Sequence, residues 1–175
     1  MSQAHAHDRQ QVEFKPQRFA IVTVSDTRTL ETDKSGALLQ QKLEEAGHSC
    51  SQRLIVVDEV AKIQEQVRSL LAGNDAESII VTGGTGVTPR DVTPEALEPL
   101  FDKALPGFGE LFRALSYEEI GAACIQSRAT AGMAQGKIIW GLPGSTGACR
   151  LAMDSIILPQ MDSRTRPCSF PGLLG

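Results

Sequence analysis

The residues best equipped for chemistry crowd into one stretch, Thr82-Gly-Gly-Thr-Gly-Val-Thr-Pro-Arg-Asp-Val-Thr-Pro-Glu-Ala96. Gly83, Gly84 and Gly86 let the backbone turn tightly and present N–H groups to a ligand. Thr85, Thr88, Arg90, Asp91 and Thr93 follow as a dense polar run that a plain turn does not require. Asp26, Asp58 and the pair Gly144-Ser145 each stand just after an apolar run elsewhere in the chain. Neither common phosphate motif fits. A P-loop needs Lys-Ser/Thr after its last glycine, where this chain has Thr88, Pro89 and Arg90, and Pro89 stands where a dinucleotide fingerprint needs its third glycine.

These residue types point to anions and a divalent cation. The N–H groups of residues 83–86 form one expected anion cradle, and those after Gly144, with Ser145 as a helix N-cap, form a second. The helix starting near Thr93 is a poor phosphate site, because Pro94 lacks an N–H and Glu95 already occupies the positive end of the dipole. Asp91 beside phosphate-binding glycines is repulsive unless a cation intervenes. Mg²⁺ suits that place, held by one or two carboxylates and by substrate phosphates. Asp58 and Asp91 are the expected metal ligands, with Asp26 a weaker third. The chemistry that follows is phosphoryl or nucleotidyl transfer. A phosphate monoester is largely ionised at pH 7, so the site must align and neutralise rather than supply a strong base. His48, expected in a helix-to-strand turn, has no role in this reading.

For these residues to meet, the chain must bring several strand ends to one edge. Residues 19–24 and 78–82 are continuous apolar runs of the kind buried on both faces of a sheet, and residues 54–57 form a third strand. Between them, Leu39, Leu43 and Ala46 mark a helix from about Lys34, stopped by Gly47, and residues 59–71 form an amphipathic helix. Strand, helix, strand, helix, strand implies a largely parallel sheet with right-handed crossovers, its carboxyl ends on one side. Beyond the glycines come a short helix over 94–101, a loop over 105–109 anchored by Phe108, and a helix over 110–119. Residues 128–133 and 137–142 flank Gln135-Gly136 as the antiparallel hairpin, and a last helix runs to about Ile157. The expected class is α/β, a three-layer sandwich with a mostly parallel mixed sheet and one antiparallel hairpin. Residues 18–158 make one domain, between a flexible tail over 1–17 and a C-terminal tail over 159–175. His5 and His7 in the first tail could bind metal only weakly.

At 175 residues the chain is of ordinary domain size, and a net charge of −4 argues against nucleic acid as a partner. No apolar run approaches the ~20 residues of a membrane span, and no signal-peptide core is present. The four cysteines have no C-x-x-C spacing and read as reduced thiols of a cytoplasmic protein.

The stretch 82–96 resembles the signature of the MoaB/Mog family of molybdenum cofactor biosynthesis. The likeness continues through Leu105-Pro-Gly-Phe-Gly-Glu-Leu-Phe-Arg113, Ser127-Arg128-Ala129 and Leu142-Pro-Gly-Ser145, and spans residues 18–160 in order. The tail 162–168 is similar to the MoaB branch. The resemblance implies a molybdopterin adenylyltransferase: Mg-ATP gives AMP to the terminal phosphate of molybdopterin, pyrophosphate leaves, and the adenylylated pterin passes to a molybdate insertase. It also implies a homo-oligomer, trimer or hexamer. Asp91 matches the family's catalytic aspartate and Asp58 the second acidic position. Gly83, Gly84, Thr85 and Gly86 match the phosphate cradle, and Ser145 lines the site beside Gly144. Arg90, Asp26 and Ser127 are site neighbours. Some MoaB-branch proteins lack the Arg-Asp-Val-Thr-Pro motif and bind pterin without adenylylating it. Both aspartates are kept here, which favours an enzyme, with a silent molybdopterin carrier as the alternative. A domain of a larger insertase is the weakest expectation, since little chain follows the last helix.

Overall fold

The structure, a computed structural model, describes residues 12–173. Six strands form one mixed sheet in the order β2-β1-β3-β6-β5-β4. They are β1 (Arg18–Val24), β2 (Ser49–Val56), β3 (Ser78–Thr82), β4 (Lys103–Ala104), β5 (Thr130–Ala134) and β6 (Lys137–Leu142). Strands β2, β1, β3 and β6 run parallel, with Thr23 level with Thr82, and Thr82 level with Leu142. This register delivers residues 25, 57, 83 and 143 to the same edge of the sheet.

The side-chain alternation of each strand sorts the core into two layers. Phe19, Ile21, Ile80, Ile138, Trp140 and Leu142 face helices α1 (Lys34–Glu45), α4 (Pro106–Ile120) and α5 (Thr146–Ala152). Ala20, Val22, Val24, Ile79, Val81 and Ile139 face α2 (Val60–Ala72) and α3 (Thr93–Leu97). The result is the expected three-layer α/β sandwich. Burying a side chain such as Ile80 or Ile139 contributes roughly 1.5–3 kcal/mol, which is why the central strands read as unbroken apolar runs. Trp140 satisfies its one polar atom by donating to Ser78 Oγ at 2.8 Å. α1 is gripped at both ends: Asp33 caps its first turn through Gly36 N at 2.9 Å. Gly47, at φ +84°, closes it while His48 N donates to Leu43 O at 2.9 Å.

Several elements depart from expectation for local reasons. The stretch 105–109 is not a loop, because Pro106 opens α4 at a position where its missing N–H costs nothing. This places Phe108 and Phe112 one turn apart on the buried face. β2 begins at Ser49 rather than Leu54, its polar first half lying along the sheet margin. The hairpin turns at Gln135-Gly136, both at positive φ, and Lys103–Ala104 adds a short second antiparallel pairing to β5. The last helix passes through a π-helical turn, Met153–Ile157, and continues as α6 (Leu158–Met161) through Pro159.

Of the stretch expected as a flexible N-terminal tail, residues 12–17 pack on the body. Phe14 lies 5.2 Å from the His48 ring, Gln17 N donates to His48 Nδ1 at 3.1 Å, and Lys15 N donates to Ser163 Oγ at 2.9 Å. Near the other end of the sequence, Phe170 meets Trp140 edge-on at 5.6 Å. The readings of His5 and His7 lie outside the described residues.

Candidate functional site

Four loops leave the carboxyl edge of β1, β2, β3 and β6 and touch one another. Asp58 N donates to Asp26 Oδ1 at 3.1 Å, joining the loops after β2 and β1. Gly83 N donates to Leu142 O at 2.9 Å, and a Cβ on Gly144 would stand 3.2 Å from Gly83 Cα, so the loops after β3 and β6 pack backbone to backbone. Gly83, at φ +106°, leaves no room for a side chain, because a Cβ there would lie 2.4 Å from Val24 O. Thr93 then fastens the loop end, donating through N to Gly84 O at 2.9 Å and through Oγ1 to Gly83 O at 2.7 Å.

The three aspartates share this edge in three different states. Asp26 is exposed and paired with Arg90; that pairing and the Asp58 N–H hold its carboxyl below the usual range. Asp91 turns inward and accepts from Thr88 Oγ1 at 2.6 Å and Thr88 N at 2.9 Å. The Thr88 hydroxyl, with the N–H groups of Thr88 and Gly86 and the charge of Arg128, depresses its pKa against a smaller effect of burial. Asp58 is the opposite case. Burial, then the neighbouring charges of Asp26 and Asp91, push its carboxyl up, against the Val92 N–H and Arg90. Its Oδ1 is buried without a hydrogen-bond partner, beside a position at Gly84 where a Cβ would lie 2.8 Å away.

That unsatisfied oxygen, facing a glycine and flanked by like charges, is what a divalent cation would relieve. Among the described residues no three His, Cys, Asp or Glu side chains are gathered into a metal cage. Mg²⁺ does not need one, since one or two carboxylates and substrate phosphates suffice. The donor set therefore fits Mg²⁺ at Asp58, with Asp91 on the neighbouring loop.

The anion cradle is narrower than the glycines alone suggest. Gly83 N is taken by Leu142 O, and Gly86 N points at the Asp91 carboxylate. Among the described residues, the N–H groups of Gly84 and Thr85 donate to no protein acceptor. At the second loop, Ser145 caps α5 through Ala148 N at 3.2 Å, and Ser35 Oγ holds Gly144 O at 2.7 Å. A cleft of about 420 Å³ opens at this second loop, between Gly144-Ser145, Gly83 and the stretch that leads from β1 into α1, and Arg28, Lys34 and Ser35 line it. Sequence reasoning missed Arg28 and Lys34. The only cue was that both lie between a strand end and a helix start that face the same edge. Arg90, expected at the ligand, is on Asp26. Ser127 Oγ is buried without a partner, and Ser127 lies with Ser145, Phe112 and Leu151 around an apolar cleft of about 200 Å³.

A family described as "Probable molybdopterin binding domain" matches residues 20–163. The chain is 51% identical over 158 residues to molybdenum cofactor biosynthesis protein B of Escherichia coli K12, covering 90% of this chain and 93% of that one. It is 53% identical over 148 residues to the protein of the same name from Bacillus subtilis, covering 82% and 85%. A crystal structure of a molybdenum cofactor biosynthesis protein B superposes with a TM-score of 0.82 at 49% identity, covering 84% of this chain and 92% of that chain. The tungsten cofactor synthesizing protein MoaB from Pyrococcus furiosus superposes with a TM-score of 0.71 at 38% identity, covering 81% and 91%. The matched domain and these relatives agree: the chain belongs to the MoaB branch of the MoaB/Mog family of molybdenum cofactor biosynthesis.

Proposed function

We propose that the protein is a molybdopterin adenylyltransferase, moving AMP from Mg-ATP to the terminal phosphate of molybdopterin. A phosphate oxygen of the pterin attacks the α-phosphorus; the new P–O bond forms as the bond to the β-phosphate breaks, and pyrophosphate leaves. The observation that carries this reading is the unpartnered Oδ1 of Asp58, set against Gly84 at the start of a loop in which the N–H groups of Gly84 and Thr85 are unengaged. Mg²⁺ bound there by Asp58 and Asp91 would neutralise phosphate charge. The chain's own part is placement. Gly84 and Thr85 hold one phosphate group, and Ser145, Gly144, Lys34 and Arg28 flank the other. The ionised nucleophile needs no base, in keeping with a site built of carboxylates, glycines and cations.

The reading sets the reaction in the cytoplasm, with a molybdate insertase as the downstream partner. No helix of the described residues is long and apolar enough to cross a membrane. Leu111, Tyr117, Ile120 and Ile125 stand exposed along α4 and the turn after it, apolar surface available for self-association, and the reading takes that assembly to be a trimer or hexamer. A second reading, a silent molybdopterin carrier, draws on the two hydrogen bonds from Thr88 that already engage one oxygen of Asp91, Oδ2. Purified protein supplied with molybdopterin, ATP and Mg²⁺ separates the two: an enzyme releases pyrophosphate and forms the adenylylated pterin, and a carrier binds pterin and releases neither.

A further inference from the structure

We infer that Arg128 is the positioning residue of the glycine-rich loop, holding residues 86–91 in the shape that presents Asp91. Its guanidinium reaches across about forty residues of sequence and clamps two carbonyls of that loop. Nε donates to Gly86 O at 2.7 Å and an Nη donates to Asp91 O at 2.7 Å. The other Nη pairs with Glu95 at the start of α3. The backbone joins in, since Arg128 N donates to Thr85 O at 2.9 Å. The loop's two ends are fastened by Leu142 and Thr93, but its middle is not. Apart from Arg128, the span 86–91 is tied by the exposed Arg90–Asp26 pair and by its own Thr88–Asp91 bonds.

Arginine is suited to this place because its planar fork offers several donors at once on separate nitrogens, enough to reach Gly86 O, Asp91 O and Glu95 together. A lysine carries its three donors on a single nitrogen and cannot reproduce the separated contacts to Gly86 O, Asp91 O and Glu95. Arg128 also sits at the entry of β5, so the loop is registered against the sheet and not against another loop. It belongs to the stretch Ser127-Arg128-Ala129 that leads into β5.

The inference rests on reading residues 83–91 as the ligand-holding loop, so its test has one arm that needs no catalysis. Full-length Arg128→Ala and Arg128→Lys are compared with the parent by amide hydrogen exchange. The inference expects the amides of Thr88 and Asp91 to exchange at least ~10-fold faster in both variants, with the amides of β1 and β3 unchanged. Unchanged exchange in the loop overturns it, and so does acceleration throughout the core, which would make Arg128 a plain stabilising residue. In the second arm, kcat for AMP transfer is expected to fall about 10- to 100-fold with KM for ATP nearly constant, the scale of a misplaced reacting group. Added guanidinium should restore part of the rate to Arg128→Ala, and added ammonium should not. A raised KM at constant kcat, or full rescue by Arg128→Lys, overturns positioning in favour of direct substrate contact or charge alone. If the parent itself transfers no AMP, the functional reading fails while the exchange arm still decides on Arg128.

Discussion

Replacing Asp58 with asparagine should stabilise the fold at neutral pH while abolishing the reaction. Asp58 Oδ1 is buried with no partner, and burial, Asp26 and Asp91 all disfavour its charge. Asparagine would leave an amide atom at the same unpartnered place, so only the cost of the buried charge is removed; the side chain is half-buried and solvent screening keeps that cost to about 1 kcal/mol. Asparagine keeps the shape, removes the charge and should gain about 1 kcal/mol, or roughly 2–4 °C in melting temperature for a chain of this size. The pH dependence has a definite sign. A carboxyl whose folded pKa is raised favours the fold in its protonated form, so the parent loses stability as pH rises through that folded value. The advantage of Asp58→Asn should therefore be present at pH 7 and shrink as pH falls. Thermal unfolding across pH measures it, and Mg²⁺ adds a control, raising the parent's melting temperature and not the variant's. AMP transfer should drop by at least ~10²-fold, the scale of losing one charge-organising group. A variant less stable than its parent at pH 7, or an advantage that grows on acidification, would refute the account of Asp58.

Asp91→Asn should fold, keep pterin binding and lose AMP transfer by at least ~10²-fold in a pyrophosphate-release assay. The same variant should flatten acid unfolding. The depressed pKa of Asp91 contributes stability above the ordinary carboxylate range that is lost as pH falls through its folded value. Gly83→Ala places a Cβ against Val24 O at a positive φ; a loss of about 1–3 kcal/mol by denaturant unfolding is expected, with no loss contradicting the packed-turn geometry. Burial holds the His48 imidazole below its ordinary 6.5, against a smaller opposite effect of Asp162, so stability present above that pH should fall below it. His48→Gln, whose carbonyl can still accept from Gln17 N, should remove that acid-side slope; an unchanged slope would place its origin elsewhere.

Local pattern carried the central half of the molecule. Residues 19–24 and 78–82 are mostly apolar and buried because both sheet faces are covered, and the turn at Gln135-Gly136 is legible through Gly136, which takes positive φ without strain. Pro106 was a helix-start signal masked by the two glycines that follow it, Gly107 and Gly109, and β2's polar first half carried no strand pattern at all. Contacts between distant segments left no local trace: Lys15 with Ser163, Phe170 with Trp140, and Arg128 with Gly86 are joined by folding, not by spacing. At the site, the glycines and aspartates were visible as residue types. Which N–H groups stay unengaged, and which carboxylate is left unsatisfied, depend on Leu142, Thr88 and Arg90 reaching across the sheet edge.

AMP transfer tests the central claim most directly. Purified protein, molybdopterin, ATP and Mg²⁺ should yield pyrophosphate and adenylylated pterin in equal amounts, and both should vanish when Mg²⁺ is chelated. Tight pterin binding with neither product would contradict the enzyme reading and leave a carrier whose aspartates serve another purpose.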